Sequence, residues 1–424
     1  MPPFATAGAA RSARAVARVK PRLPGGPFVV VGVALFVLLM DGNLATPLYA
    51  VYRERFGFSA TQLTLIFAIY MIALIPSLLV FGQLSDRVGR RRVLAGGLGV
   101  AAVGLVILAA AAGTAWLYVG RAVQGISLGA AVGTAAAALV ELQPEGDYGR
   151  AALATVLGQS GGSAAGPLIG GALAEWAPAP RQLCYLLALG VTLATAAAVL
   201  RIEEPREPSG EWRLQRPSVP APIRGRFTRA SLSSATVWAV GALYLSVVPS
   251  YAAKLLSTSN LALLGAISAL MLGISCLAQA LCVRGGGLSA QRAQLAGLVI
   301  FLAGVAALVL AFPTHSLVLV LASALLAGVA LGLGYFGSLT EINEIAPTER
   351  RGEVTAAFIT ALYVGVSTTV ISAGVISDAY SLYTAITVVG IALAVIAFAT
   401  AMWHVGYLRT AARSAGSRSG RRNG

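Results

Sequence analysis

Long apolar runs recur along the chain between short polar segments, and this alternation predicts its secondary structure. A hydrocarbon core of about 30 Å needs about 20 apolar residues per crossing helix. Twelve runs meet that length: 28–50, 60–81, 93–113, 115–140, 151–174, 182–201, 230–251, 260–283, 291–312, 316–340, 353–376 and 380–405. The pattern therefore predicts an all-α membrane protein with twelve transmembrane helices.

One long polar segment divides these runs six and six. Residues 202–229 carry charges of both signs among several prolines, as expected of a linker. We therefore predict a six-helix bundle over 28–201 and a second over 230–405. Basic tails at 1–27 and 406–424 complete the chain.

An internal repeat supports this division. A shift of 203 residues superposes Gly125 on Gly328, Gly129 on Gly332, Glu141 on Glu344 and Pro144 on Pro347. Parallel repeats of this kind are typical of two-bundle transporters, whose substrate site lies between the bundles near the membrane midplane. Arg121 falls on Ala324 under the same shift. We therefore expect the charged machinery to be concentrated in the N-terminal bundle.

Composition agrees with a membrane location. The chain is 57% hydrophobic and 11% charged, whereas a soluble domain is about 45–50% apolar and about 25% charged. The net charge of +15 suggests nucleic acid, but its distribution excludes that partner. All but five of the 31 Lys and Arg fall on one predicted side, and the exceptions are Arg53, Arg55, Arg121, Arg181 and Lys254. This bias places both termini in the cytoplasm.

A short basic segment between the second and third runs carries the first family resemblance. Gly82-Gln83-Leu84-Ser85-Asp86-Arg87-Val88-Gly89-Arg90-Arg91-Arg92 resembles the signature loop of the major facilitator superfamily. We expect Gly82 to allow close helix approach and Gly89 to allow a tight turn. Asp86 is expected to cap a helix or pair with an arginine, and Arg87, Arg90 and Arg91 to hold the inner membrane surface.

Two ionisable residues lie well inside predicted spans. A charge at a helix centre costs roughly 2.5–3.5 kcal/mol on insertion, which makes Asp41 and Arg121 functional candidates. They lie at similar depths, so we expect a direct or water-bridged contact. The alternatives are a buried ion pair that only fixes helix register and, for Asp41, an acid that reaches the outer interface.

The surroundings of Arg121 give a second resemblance. Leu117-x-x-x-Arg121-x-x-Gln124-Gly125-x-x-x-Gly129 resembles the fourth-span motif of proton-coupled members of the superfamily. The resemblance implies that the arginine takes part in proton transfer. We therefore expect Asp41 to carry the proton and Arg121 to control its release, although the first-span aspartate pattern of drug antiporters is matched only loosely.

The fifth run gives a third resemblance. Gly162-x-x-x-Gly166-Pro167-x-x-Gly170-Gly171 is similar to part of the antiporter signature, which implies export; Leu153 stands where its earliest glycine would fall. Small residues at this spacing also occur as generic membrane packing, so that alternative stays open.

Other candidates are single residues. Glu141 ends the fourth span near Arg87 and Arg90, where it is either a cytoplasmic gate or an ordinary interfacial acid. Polar and aromatic groups that are candidates to line a substrate site are Asn43, Tyr70, Tyr244, Tyr335 and Tyr363. The tyrosines are equally explained as packing or interface residues.

The sequence contains no phosphate-binding loop and no paired-histidine metal motif. We therefore expect no enzyme activity, metal or cofactor, and a proton gradient as the energy source. The expected partners are protons, the lipid bilayer and a small-molecule substrate, with the chain acting as a monomer. Its alanine- and glycine-rich composition is typical of high-GC bacteria and predicts a bacterial cytoplasmic membrane.

Three functions fit these features. The first is proton-coupled export of a hydrophobic or cationic small molecule, such as a drug or secondary metabolite, by alternating access. The second is proton-coupled import of a polar nutrient such as a sugar or organic acid. The third is a receptor or scaffold without transport, which leaves the insertion cost of the buried charges uncompensated.

Overall fold

A computed structural model describes residues 26–143, 147–206 and 216–420, with side chains to residue 409. Every regular element in these ranges is a helix. The α-helices are α1 (Gly26–Asn43), α2 (Leu48–Phe56), α3 (Ala60–Val88), α4 (Arg90–Ala109), α5 (Thr114–Glu141), α6 (Tyr148–Val156), α7 (Gly162–Trp176), α8 (Leu183–Arg201), α9 (Arg224–Ser246), α10 (Val248–Leu256), α11 (Leu261–Gly285), α12 (Ala290–Ala311), α13 (Leu317–Ile345), α14 (Arg351–Ala379) and α15 (Leu382–Gly420).

The helices pack as two bundles. Helices α1–α8 pack mainly on one another and form the N-terminal bundle, and α9–α15 do the same as the C-terminal bundle. The bundles meet chiefly where α3 lies against α14 and where α7 lies against α11. Large apolar side chains such as Phe398 and Trp403 stay exposed on the outside, as expected of helices that face lipid.

The number of crossing helices is lower than the predicted twelve when each helix is judged by itself. Ten segments in the described ranges are long and apolar enough to cross a membrane, and α9 with α10, bent by 54°, makes an eleventh. The remaining predicted run, 151–174, falls on α6, a π-helical turn at Leu157–Gly161 and α7. Because the π turn divides it into short pieces, the count of twelve stays a prediction.

The predicted basic loop at 82–92 is almost entirely helical. Its first residues complete α3, its last begin α4, and Gly89 alone separates the two helices. Gly89 has φ 108°, a value that disfavours any side chain. A Cβ there would also lie 2.6 Å from Oε2 of Glu204, so the expected role of this glycine in a tight turn is confirmed.

The linker and the tails are described only in part. The residues of 1–27 before Gly26, the linker residues 207–215 and the last residues of 406–424 lie outside the described part of the chain. Within the linker, Glu204 accepts the N–H of Arg91 at 2.9 Å, and the Ser218 hydroxyl accepts from Arg350 at 2.9 Å. The polar linker therefore contacts one helix of each bundle.

The two ends of the molecule contain different helix termini. The basic end is the one that contains Gly89 and the α4 N-terminus, and the opposite end contains the N-termini of α3 and α11.

Candidate functional site

A cavity of about 280 Å³ lies between the two bundles. Its lining residues occupy the middle of their helices and the half toward the basic end. One wall is polar and comes mainly from the π turn, α7 and α11: Thr155, Gln159, Ser160, Ser163, Ser275 and Gln279. The facing wall holds the aromatic rings of Trp238, Tyr335 and Tyr363. No Asp, Glu, Lys or Arg is among the described residues that line it.

The polar and aromatic walls are both ordered by internal contacts. Gln279 on α11 donates to the Ser160 hydroxyl of the N-terminal bundle at 3.0 Å. The Trp238 ring meets Tyr335 edge-on, with centroids 5.4 Å apart. The buried indole N–H of Trp238 has no hydrogen-bond partner among the described residues.

The structure separates the predicted lining candidates. Tyr335 and Tyr363 lie in the cavity wall, whereas Asn43, Tyr70 and Tyr244 do not, which corrects the expectation for these three. Asn43 bonds back to its own helix, donating to the Leu39 carbonyl at 2.8 Å. Tyr244 is buried inside the C-terminal bundle and donates to Ser323 at 2.8 Å. The side-chain N–H of Asn43 and the hydroxyl of Tyr244 thus already donate hydrogen bonds within the protein.

Asp41 is a buried acid near the C-terminal end of α1. It is 1% exposed, and its Oδ2 accepts the Thr192 hydroxyl of α8 at 2.6 Å. Its other oxygen, Oδ1, has no hydrogen-bond partner among the described residues. Thr192 gave no signal in the sequence, because a threonine in a membrane helix often bonds to its own backbone.

Arg121 on α5 holds the end of α1 rather than its acid. The guanidinium Nη1 donates to the Gly42 carbonyl at 2.6 Å and to Gln124 Oε1 at 2.7 Å. Gln124 in turn donates to the backbone carbonyl of Asp41 at 3.0 Å. The guanidinium carbon also lies 4.5 Å from the ring centroid of Tyr70, which explains why Tyr70 faces away from the cavity.

The expected contact between Asp41 and Arg121 is therefore only indirect. In the part of the chain that the structure describes, Arg121 makes no ion pair. Its charge instead satisfies the Gly42 carbonyl at the C-terminus of α1, where the helix dipole is negative and the last carbonyls lack intrahelical partners. Arg121 and Gln124 both bind the backbone beside Asp41, so a displacement of α1 moves the acid relative to the arginine.

The predicted glycine motif packs α7 against two neighbours. Gly162 and Gly166 face α1, and Gly170 faces Leu44 just after its end; a Cβ at Gly166 would lie 2.5 Å from the Met40 carbonyl oxygen. Gly171 instead faces α11, where a Cβ would lie 2.6 Å from the Leu261 carbonyl oxygen. Pro167 lies inside α7 without ending it. The glycines thus permit close packing, and their link to export stays a prediction.

The span-four glycines have the same packing role. A Cβ at Gly125 would overlap the Tyr70 carbonyl oxygen, and one at Gly129 would lie 2.5 Å from that of Leu74. Their repeat partners Gly328 and Gly332 face α11 equally closely. The repeat therefore preserves the contact of α5 with α3 and of α13 with α11.

At the basic end the predicted ion pair forms within one bundle. Arg90 binds Glu141 through two nitrogens, with distances of 3.1 and 3.3 Å, and it also contacts Asp86 and Ser85. Arg87 is exposed. Because α4 and α5 belong to the same bundle, the pair by itself cannot join the two bundles. A Cβ at Gly82 would meet nothing within 4 Å, so its expected role in helix approach is wrong.

The C-terminal bundle holds a buried charged cluster that the sequence analysis missed. Glu341 is 0% exposed and accepts from Arg229 at 2.7 Å, Gln294 at 2.7 Å and Arg226 at 2.9 Å. The expectation that buried charge is concentrated in the N-terminal bundle is therefore wrong. The internal repeat singles out Glu344 as the counterpart of Glu141, but Glu344 is exposed and is not part of this cluster. Arg229 and Glu341 lie just outside the predicted apolar runs. The run boundaries therefore assign Arg229 to the linker and Glu341 to a loop.

Comparison with known proteins now identifies the family. The model of the Major Facilitator Superfamily matches residues 31–370. The chain belongs to the major facilitator superfamily. The family consists of multi-pass membrane transporters rather than enzymes.

Relatives in this family include proteins named for resistance and biosynthesis. The chain is 32% identical over 152 residues to a puromycin resistance protein of Streptomyces alboniger, covering 35% of this chain and 30% of the relative. It is 30% identical over 190 residues to the acurin A biosynthesis cluster transporter of Aspergillus aculeatus, covering 42% and 32%. The matched stretch thus spans about a third of each relative.

Solved transporters share the fold. A bacterial homologue of the human lysosomal transporter Spinster, inward-facing and unoccupied, superposes with a TM-score of 0.74 at 16% identity, covering 91% of this chain and 97% of that one. A variant of the nucleoside transporter NupG superposes with a TM-score of 0.70 at 13% identity, covering 90% and 99%. These likenesses establish the architecture only.

Proposed function

We propose that this transporter exports an uncharged, partly aromatic or otherwise flat small molecule in exchange for protons. The observation that carries the proposal is the cavity between the bundles, with one polar wall, one aromatic wall and no charged lining among the described residues. In this proposal the chain crosses a bacterial cytoplasmic membrane twelve times as a monomer, with α6, the π turn and α7 as one span. The basic end faces the cytoplasm, as the positive-inside rule requires.

The cavity favours a neutral substrate over a cation. A site without charged lining binds a charged molecule poorly, because no side chain of opposite sign compensates the lost hydration. The aromatic wall supplies flat contact surfaces, and the Trp238 N–H, Gln159 and Gln279 supply hydrogen-bonding groups. We therefore narrow the substrate from a hydrophobic or cationic molecule to one that is uncharged and carries a hydrogen-bond acceptor.

Asp41 is the proposed proton carrier. It is the acid buried among α1, α5 and α8, and its Oδ1 has no hydrogen-bond partner among the described residues to compete for a proton. It lies beside the C-terminal end of α1, whose carbonyls Arg121 and Gln124 hold. Movement of α1 between two conformations would change the surroundings of the acid and so couple proton binding to alternating access.

Export is supported by two relatives named for puromycin resistance and for acurin A biosynthesis, and by the glycine pattern of α7. The test is accumulation of a panel of dyes and antibiotics in cells that lack their own pumps. We expect wild-type protein to lower the accumulation of neutral aromatic compounds, and both an uncoupler and Asp41→Asn to remove the effect. Equal accumulation with and without the protein across neutral and cationic compounds would contradict the proposal.

Import is the second candidate, and the polar wall of the cavity favours it. Gln159, Gln279 and three serines offer hydrogen bonds that a nucleoside-like or sugar-like molecule could use. Uptake by vesicles of known orientation separates the two directions. An exporter fills inside-out vesicles when the lumen is acidified, whereas a proton-coupled importer fills right-side-out vesicles when the outside is acidified.

A further inference from the structure

Two acidic side chains join the bundles at the opposite end. Glu175, in the last turn of α7, accepts the N–H of Leu261 at 2.7 Å, and Leu261 is the first residue of α11. Asp378, in the last turn of α14, accepts the N–H groups of Ala60 and Thr61 at 2.8 Å each. Ala60 is the first residue of α3. We name these two contacts the cross-bundle caps.

The two caps are related by the internal repeat. The 203-residue shift places Glu175 on Asp378 and also places Gly171 on Gly374. Each glycine precedes its acid by four residues, so it lies one helical turn away on the same face. A Cβ at Gly171 would lie 2.6 Å from the Leu261 carbonyl oxygen, and one at Gly374 would overlap Thr64. Each glycine thus lets the helices approach closely enough for its acid to reach the helix of the other bundle.

The capped helices leave their first N–H groups available for these acids. The α3 N-cap Ser59 accepts the N–H of Gln62 at 3.2 Å, and the α11 N-cap Asn260 accepts the N–H of Leu263 at 2.8 Å. These residues satisfy the third N–H of each helix, and the other bundle satisfies the first. A carboxylate at a helix N-terminus also gains from the positive end of the helix dipole.

We propose that Glu175 and Asp378 close the opposite end of the transporter and set how much of the population opens there. Glu175 of the N-terminal bundle caps a helix of the C-terminal bundle, and Asp378 of the C-terminal bundle caps a helix of the N-terminal bundle. Separation of the bundles at this end must therefore break all three hydrogen bonds. At the basic end, by contrast, the Arg90–Glu141 pair stays within one bundle. The two caps therefore favour the conformation in which the cavity is reached from the basic end.

The experiment measures opening directly. Single cysteines at Arg55 in the N-terminal bundle and Ser259 in the C-terminal bundle carry spin labels, after Cys184, Cys276 and Cys282 are replaced by alanine. The full chain is reconstituted in lipid nanodiscs, and distances between labels are measured for Glu175→Gln, Asp378→Asn and the double variant. Glu54→Gln is the matched control, because Glu54 is an exposed acid at the same end on α2.

Each substitution should raise the ratio of open to closed molecules at the opposite end by about two- to five-fold, from the usual effect of a charge at a helix terminus. The double variant should combine both effects, and the alanine versions should exceed the amide versions because alanine also removes the acceptor. A double alanine variant with the distance distribution of wild type and of Glu54→Gln would overturn the proposal.

The role of the caps rests on the proposed alternating access, but the distance readout needs neither substrate nor proton gradient. Longer label distances in the cap variants of a protein that transports nothing would support the proposed role of the caps and contradict the proposed function. An unchanged distance distribution in an active exporter would retain the proposed function and contradict the proposed role of the caps.

Discussion

Thr192 on α8 donates its hydroxyl hydrogen to Asp41 on α1 across 2.6 Å, and both side chains are fully buried. The acid thereby turns toward α8, while Arg121 on α5 binds the adjoining backbone of α1. Two different helices thus hold the acid and the end of the helix that bears it. This arrangement separates the proposed proton carrier from the positive charge that was expected to pair with it.

Asp41→Asn should abolish proton-driven transport without unfolding the protein, because the amide oxygen can still accept from Thr192. Transport driven by an imposed pH gradient in vesicles measures the effect. Thr192→Val is the companion variant: it keeps the shape and removes the donor, so it should shift the pH at which transport is half-maximal. Full activity of Asp41→Asn would remove the acid from the mechanism.

Arg121→Ala should destabilise the protein by about 1.5–3 kcal/mol, the usual cost of losing hydrogen bonds to a charged group. The Gly42 carbonyl and Gln124 would both lose their partner at the end of α1. Thermal unfolding in detergent measures the loss. Arg350→Ala is a suitable control, since Arg350 is an exposed arginine. If Arg121→Ala melted like that control, Arg121 would have no role in holding α1.

Trp238→Phe should weaken binding of a transported compound by roughly two- to ten-fold, as expected for the loss of one hydrogen bond of about 0.5–1.5 kcal/mol. Phenylalanine keeps an aromatic ring in the cavity wall but lacks the N–H that has no partner. Fluorescence binding titrations compare a substrate with an analogue that lacks the acceptor. A similar loss for both compounds would show that the ring, and not the N–H, makes the contact.

The apolar runs predicted most of the helices because burial in lipid requires long uninterrupted hydrophobic segments. The same runs gave no indication that charged residues next to their ends are buried. Arg229 lies in the sixth position of α9, and Glu341 in the last turns of α13, but the predicted run 230–251 begins just after Arg229 and the run 316–340 ends just before Glu341. Arg121 was found because a charge in the middle of a span is rare. Its partner could not be found, since the Gly42 carbonyl that it binds has no side-chain signature.

The break between α3 and α4 at Gly89 could be predicted from local sequence rather than from the length of the apolar runs. A glycine with positive φ is the usual way to turn between two close helices, and the motif at 82–92 places this glycine correctly at Gly89. The same motif gave no means of predicting Glu204, which lies 113 residues from Arg91 and accepts its N–H. A tight turn can be predicted from the residues that form it, whereas a hydrogen bond between distant residues depends on how the helices pack. The two acids of the cross-bundle caps could be predicted in part. The repeat relates Glu175 to Asp378, but the sequence does not indicate which helix N-terminus each acid caps.

Glu341→Gln should destabilise the C-terminal bundle by about 3–5 kcal/mol, because it leaves the buried Arg229 without a counter-ion. Arg226 is partly exposed and can reach water instead. Replacing both members of the buried pair, Arg229→Met with Glu341→Met, should recover much of the loss. Unfolding midpoints of the single and double variants test this. Losses that simply add would show that the two side chains do not interact energetically.

Gly129→Ala should destabilise the N-terminal bundle, whereas Gly99→Ala should not. A Cβ at Gly129 would lie 2.5 Å from the Leu74 carbonyl oxygen and 2.6 Å from Cβ of Ser77, so α5 must move away from α3. A Cβ at Gly99 would meet nothing within 4 Å, and alanine is the better helix former by about 1 kcal/mol. Melting temperatures in the same detergent compare the two variants, which both replace glycine by alanine. If both alanines had the same effect, the spacing of α3 and α5 would tolerate an added methyl group, and close packing would not explain the repeated glycines.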